Sequence, residues 1–433
     1  MKLHKLLAAI FLLAASTGYA QAPYRAYINE QAAALERQVI GWRRHMHQYP
    51  ELSNREFKTA AYVSSHLQSL GLEVRTGIAH TGVVGILRGA QPGPVVALRA
   101  DMDALPVAER VDLPFASKEK STYLGAEVGV MHACGHDTHV AMLMGAAQIL
   151  SGMRDQIKGT VVFIFQPAEE GAPPGEQGGA KLMVEQGVLV NPNVDAIFGI
   201  HINSQTPVGT IRYKPEGTMA AANSFTVKIR GKQAHGSAPW GGIDPITIAA
   251  QIIQGFQHIV SRQVNITNEP AVISIGKISG GVRSNIIPEE VELIGTIRTL
   301  DKEMQQDIHQ RIQSTAANIA EAWGAQAEVI IEEGYPITYN DPALTNQMLP
   351  TLQQVAGADK VILGKAVTGA EDFSFFAEKV PGLFVFLGGM APDKKPEEVA
   401  PHHTPDFFID ESGMKLGVEV YCNLALDYLL MQK

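Results

Sequence analysis

Three apolar stretches in succession finish on acidic or imidazole side chains, and no pattern in the chain limits its fold more. Val95-Val96-Ala97-Leu98 runs into Arg99-Ala100-Asp101-Met102-Asp103, Thr160–Phe165 runs into Gln166-Pro167-Ala168-Glu169-Glu170, and Ala196–Ile200 reaches His201. Short apolar runs alternating with helical periodicity predict the strands of an α/β sheet. The carboxyl edge of such a sheet is where sites gather. Helical spacing marks Gln31–Met46, Glu56–Leu70 (stopped by Gly71), Thr138–Leu150 and Gly179–Gln186, and Val83–Leu87 reads as a further strand.

From about Ala220 the pattern changes. Strands over Ser224–Ile229, Ala271–Ile278, Val291–Ile297 and Ala327–Ile331 enclose helices over Pro245–Val260 and Asp301–Trp323. That order, βαββαβ, predicts a ferredoxin-like unit. Few candidate ligands lie within it, so it reads as an insertion. The expected division is a leader over 1–20, a first catalytic part over 21–217, an inserted unit over 218–332 and a second catalytic part over 333–433. A strand at Gly382–Leu387 and a helix from about Glu411 to the end complete the second part.

Between the first and second site strands lies Met131-His132-Ala133-Cys134-Gly135-His136-Asp137-Thr138-His139. A thiol, three imidazoles and a carboxylate within nine residues are donors that suit a transition metal. Cys134 and His136 lie two apart on irregular chain before a helix, so both can reach one ion. Glu169-Glu170 places two carboxylates together, which is costly unless a cation neutralises them. On extended chain the two would point opposite ways. His201, His402-His403 and the pair Asp101 and Asp103 are further candidates, each open to a plain structural reading.

Composition narrows the function. The 433 residues carry a formal charge of -9, with 45% hydrophobic and 18% charged residues. That balance fits a folded globular protein and not a nucleic-acid binder. Met1–Ala20 reads as a secretory signal, with Lys2 and Lys5, an apolar core over Leu6–Ala15 and a small-x-small site at Gly18-Tyr19-Ala20. The mature chain is expected to be exported, periplasmic or secreted, with no membrane span after cleavage. Cys134 and Cys422 are the two cysteines; a disulfide between them is open, although Cys134 reads as a ligand thiolate and Cys422 as a core residue.

The order of motifs is sharper than any one of them. Arg99–Pro106, His132–Asp137, Gln166–Glu170, Gly199-Ile200-His201, Gly231–His235, Asn285-Ile286-Ile287-Pro288, Gly369–Phe373 and His403-Thr404-Pro405 follow one another. Together they resemble the amidohydrolase branch of the aminoacylase and glutamate-carboxypeptidase family of metallopeptidases. That branch includes hippurate hydrolases, auxin-conjugate hydrolases and N-acyl-amino-acid amidohydrolases.

The resemblance implies a zinc-peptidase-like catalytic domain, a central mixed sheet flanked by helices, with the ferredoxin-like insert as dimerisation or lid domain. It implies two divalent ions per subunit, of zinc, manganese, cobalt or nickel, on Cys134, His136, Glu170, His201 and His403. Glu169 matches the general base that works on a metal-activated water. Asp101 and Asp103 match residues that orient ligands, while His235 and Asn285 match substrate-binding residues, the histidine acting across a homodimer. Trp240 and Asn203 depart from the family pattern and bear on the acyl preference. The expected reaction is hydrolysis of an N-acyl amino acid. A dipeptidase or carboxypeptidase of the same superfamily, or an exported metal- or peptide-binding protein without catalysis, are the alternatives.

Overall fold

The computed structural model describes residues 23–431, so the leader reading over Met1–Ala20 lies outside the described residues. The larger unit is built on an eight-stranded mixed sheet. In spatial order its strands are Glu73–Ile78, Gly82–Arg88, Lys158–Gln166, Gln91–Asp101, Ala196–Pro207, Gly382–Met390, Ile211–Tyr213 and Val361–Leu363. The strands expected to carry the site sit in its middle. Lys158–Gln166, Gln91–Asp101, Ala196–Pro207 and Gly382–Met390 run parallel to one another.

Helices Pro23–Gln48, His136–Gly152 and Met414–Met431 pack over one face. The middle one is buried along nearly its whole length, as expected of a helix apolar all round. One core fills this side, with Phe163, Phe165, Phe198, Leu143 and Tyr421 among its wholly buried members. A smaller cluster with Ile164, Ile197, Phe373 and Phe384 covers the other face.

The inserted unit has a four-stranded antiparallel sheet, in the order Ala271–Gly280, Glu290–Thr299, Ala221–Arg230, Gln326–Tyr335. Helices Pro245–His258 and Lys302–Ala322 join the strands. The spatial order of second, third, first and fourth strand is the ferredoxin-like one. Phe225, Phe256, Ile308 and Ile312 anchor a core of its own.

Most strands exceed their expected bounds, and two of these extensions bear on the site and the unit boundary. The strand reaching His201 runs on to Pro207, because Gly382–Met390 pairs alongside it with His201 opposite Phe386. The strand expected over Ala327–Ile331 runs Gln326–Tyr335, past the expected boundary at 332. Among the described residues no helix is long and apolar enough to cross a membrane. Cys134 and Cys422 are both free and buried.

Candidate metal centre

The site begins with a turn. Gly135 has φ +90°, a left-handed conformation that favours glycine. A Cβ there would collide with the side chain of Ile202. The turn sets Cys134 just before the helix that starts at His136, so both donors face the carboxyl edge of the sheet.

Three histidines meet at the Cys134 sulfur. His201 Nε2 lies 3.5 Å from it, His402 Nδ1 3.5 Å and His403 Nε2 3.3 Å. His403 Nε2 is also 3.1 Å from Glu170 Oε1. Two donor sets share the thiol: Cys134, His136 and His201, and Cys134, Glu170 and His403, the donor atoms of each lying within 4.8 Å of one another. The same spacing groups Asp101, His136 and His139, and it places Glu169 with His136 and Glu170 and with Glu371 and Asp372.

Hydrogen bonds fix the imidazole tautomers. His201 Nδ1 is 2.6 Å from the carbonyl of Ile202, which can only accept. Its proton therefore sits on Nδ1, leaving a bare Nε2 toward Cys134. His402 is the reverse case. Its Nε2 accepts from the Ser204 amide at 3.1 Å, so Nδ1 carries the proton and donates toward the sulfur. Adjacent histidines thus play different parts: His403 Nε2 faces both Cys134 and Glu170, while His402 gives the sulfur a hydrogen bond. His139 accepts from the Ile202 amide on Nε2 at 2.8 Å and donates to Asp101 Oδ1 at 2.5 Å. It braces the cluster without a free nitrogen.

The two carboxylates do not diverge as extended chain would have them. Ala168 has φ +52°, and residues 169–170 form a turn that brings Glu169 and Glu170 each to 3.9 Å from His136 Nε2. Asp103 holds that turn, accepting the Glu169 and Glu170 amides at 3.0 Å each and the Ser53 hydroxyl at 2.7 Å. It also lies 3.3 Å from His136 Nδ1. Glu56 takes the Ala168 amide at 2.9 Å.

Behind the site, Arg99 is wholly buried. It donates to Gln166 at 2.7 Å, Asp101 at 2.7 Å, Glu371 at 2.8 Å and Asp372 at 3.1 Å. The Asp372 amide lies 3.4 Å from Glu169 Oε1. Glu371 and Asp372 stand in a quoted motif but received no role from the sequence, since nothing in it says that their partner is Arg99.

Burial and like charge together set the protonation of this cluster. Burial drives Cys134 well above the ordinary thiol range, and Glu170, Glu169 and Asp101 add to it. Burial, then Glu371, Glu170 and Asp372, push Glu169 well up. Burial works against charge on His136, but Asp101, Asp103 and Glu170 outweigh it and raise it to about 10. Without cations, the cluster retains protons that ligands must lose. Both ring nitrogens of wholly buried His136, and Glu170 Oε1, lack a hydrogen-bond partner of proper geometry. Buried polar groups are rarely left so. The donor set therefore fits a pair of divalent ions.

His235 and Asn285 are not brought to this cluster. They neighbour each other in the inserted unit, the Gly236 amide donating to the Asn285 carbonyl at 2.8 Å. Among the described residues, no hydrogen bond or ion pair joins either to the cluster. His235 Nδ1 accepts the Ser237 amide at 3.0 Å, so neutral His235 presents an N–H on its Nε2. Trp240, in the next turn, is 84% exposed. Asn203 turns its amide oxygen onto its own chain, accepting from Gln205 and Thr206.

Comparison with known proteins follows the same lines. The sequence profile of Peptidase family M20/M25/M40 matches residues 97–427. Thermostable carboxypeptidase 1 of Saccharolobus solfataricus is 43% identical over 396 residues, covering 91% of this chain and 96% of that protein. The N-acetyl-L-cysteine deacetylase of Bacillus subtilis is 40% identical over 382 residues, covering 88% and 86%. Among solved structures, the Bacillus subtilis YXEP protein, a dinuclear metal-binding peptidase from the M20 family, superposes with a TM-score of 0.77. It is 36% identical, over 92% of this chain and 99% of that one.

Proposed function

Since the chain belongs to Peptidase family M20/M25/M40 and is a metallo-hydrolase, we propose that it cleaves the amide bond of N-acyl amino acids. The products are a carboxylic acid and a free amino acid. One observation carries the mechanism: Glu169 is a buried carboxylate beside both Cys134-centred donor sets and a member of neither. A group so situated serves the water or substrate that the donors leave room for.

Cys134, His136 and His201 would hold one ion, and Cys134, Glu170 and His403 the other. Ions held there supply Lewis acidity, lowering the pKa of water from about 16 to about 7 and polarising a carbonyl. Glu169 takes the proton of the attacking water and delivers it to the leaving nitrogen. Burial and then Glu371 raise its proton affinity; cations held on the neighbouring donors would lower it, toward the range in which a carboxylate can both take and return a proton. The N–H of His402 steadies the Cys134 sulfur as a thiolate. A second copy of the chain would bring the Nε2–H of His235, with Asn285 beside it, to the oxyanion, a contribution commonly worth about 3 kcal/mol. The reading extends to export of the mature chain, on the strength of Met1–Ala20.

A carboxypeptidase or dipeptidase activity is the second reading, favoured by the carboxypeptidase relative. Release of amine from N-acetyl and N-benzoyl amino acids, set against dipeptides, separates the two. In metal-reconstituted protein, Glu169→Gln is expected to lower turnover by about 100- to 10,000-fold with metal content unchanged. Near-normal turnover in that variant would remove Glu169 from the mechanism.

A further inference from the structure

The phenol of Tyr335 donates to the carbonyl oxygen of Glu169 at 2.6 Å, and it does so from the end of a strand that belongs to the inserted unit. Tyr335 closes the strand Gln326–Tyr335. Near its end the register against Ala221–Arg230 slips: Asn223 opposes Glu333, but Ala222 opposes Tyr335. Gly334 is the extra residue. A bulge of this kind bends the strand and re-aims the side chain beyond it. Two features hold it in place. The Gly334 amide donates to Oδ1 of buried Asn223 at 3.3 Å, and a Cβ on Gly334 would collide with the Ala222 carbonyl. With uninterrupted alternation, the side chain at 335 would turn to the opposite face.

Past the bulge, the Tyr335 ring meets Phe375 edge-on, with centroids 6.0 Å apart. Phe375 follows the segment whose Asp372 amide faces the Glu169 carboxylate at 3.4 Å. Tyr335 thus reaches Glu169 twice, at the carbonyl directly and at the carboxylate through this segment. The remaining holds on the turn, Asp103 on the Glu169 and Glu170 amides and Glu56 on the Ala168 amide, come from the larger unit.

We propose that Tyr335 is a positioning residue for Glu169, tying the orientation of the inserted unit to the aim of the catalytic carboxylate. The proposal rests on Glu169 acting as the base. When the inserted unit shifts relative to the larger one, the phenol moves with its strand and carries the Glu169 carbonyl. Closure over a substrate then completes the geometry of the base, the kind of gating that moving units provide. A misplacement of about 1 Å in such a group costs on the order of 100-fold in rate.

Tyr335→Phe removes one hydroxyl and keeps the ring against Phe375. It is expected to lower kcat by about 10- to 100-fold, with KM within about threefold, since the aim of the base is lost and substrate binding is not. Metal content and thermal midpoint should match wild type. Gly334→Val, which disturbs the bulge, should give the same split between kcat and KM. In a Glu169→Asp background, where the carboxylate is already displaced, Tyr335→Phe should cost less than about threefold, because residues acting through one another are not additive. Wild-type kcat in Tyr335→Phe, equal losses in the two backgrounds, or a loss that follows metal content would each overturn the inference. A wild-type protein that hydrolyses no amide overturns the functional reading first; an active wild type with an unaffected Tyr335→Phe overturns this inference alone.

Discussion

Glu56 is wholly buried and hydrogen-bonded to the Thr81 hydroxyl at 2.5 Å and to the Asn54 and Ala168 amides. Burial, and then the facing Asp103, push it from 4.5 up to about 8. Between those values the folded chain keeps a proton that the unfolded chain releases. Stability therefore falls as pH rises through that window, by at most about 1.4 kcal/mol per unit. Glu56→Gln keeps the acceptor and removes the titration. Its denaturation midpoint, followed from pH 5 to 8, should fall less steeply than that of the wild type; parallel curves would mean Glu56 is ionised throughout. At this scale, residue type and spacing made Cys134, His136 and Glu169-Glu170 legible. They could not separate His402 from His403, because that distinction comes from the Ser204 amide, which lies far away in sequence and occupies His402 Nε2. Glu371 and Asp372 stayed without a role for a similar reason, their cation being Arg99 on a strand that ends much earlier in the chain.

The elements that carry the site were read correctly in kind and less well at their ends. Val95–Leu98 and Thr160–Phe165 announce themselves by apolar runs. The continuation of the next strand from His201 to Pro207 does not, because it depends on pairing with Gly382–Met390. Ile211–Tyr213 and Val361–Leu363 are too short for any period to register, and a sheet edge built of them is visible only once folded. The turns matter more to function than the strands. Ala168 and Gly135 both take positive φ, and both sit one residue before a donor or the base. Gly135→Ala is expected to cost about 1–2 kcal/mol in backbone strain, before the collision with Ile202 is counted. Ile202 cannot yield freely, since its amide fixes His139 and its carbonyl fixes His201. The variant should therefore show a lowered thermal midpoint together with reduced metal stoichiometry in the purified protein. A drop in stability with full metal occupancy would uncouple the turn from the donors.

The larger unit holds all five candidate donors and Glu169, while His235 and Asn285 remain on the inserted unit, with no bond to them among the described residues. Two separate cores, one under each sheet, allow the units to move as bodies. The sequence could match His235 and Asn285 to a family pattern, yet a contact made between copies leaves no trace in a single chain's periodicity. The inserted sheet presents a means of making it. Ala271–Gly280 is an edge strand with one side unpaired among the described residues; Ile278 within it is 60% exposed and Val282 just beyond it 91%. The strand carries one charge, Lys277, which Glu292 faces at 3.5 Å, so the exposed apolar positions beside it leave the edge open to pairing. Edge-to-edge pairing of two copies would extend the four-stranded sheet across a two-fold axis. The protein is accordingly expected to scatter light as a homodimer. Ile278→Asp, which places a charge on the edge, should shift it toward monomer while leaving the metal content of each chain intact. If the partner's His235 serves the oxyanion, the monomer should lose kcat by about 100-fold, the scale of one such donor, and His235→Ala in the dimer should lose a similar factor. A monomer with full kcat would confine the whole reaction to one chain.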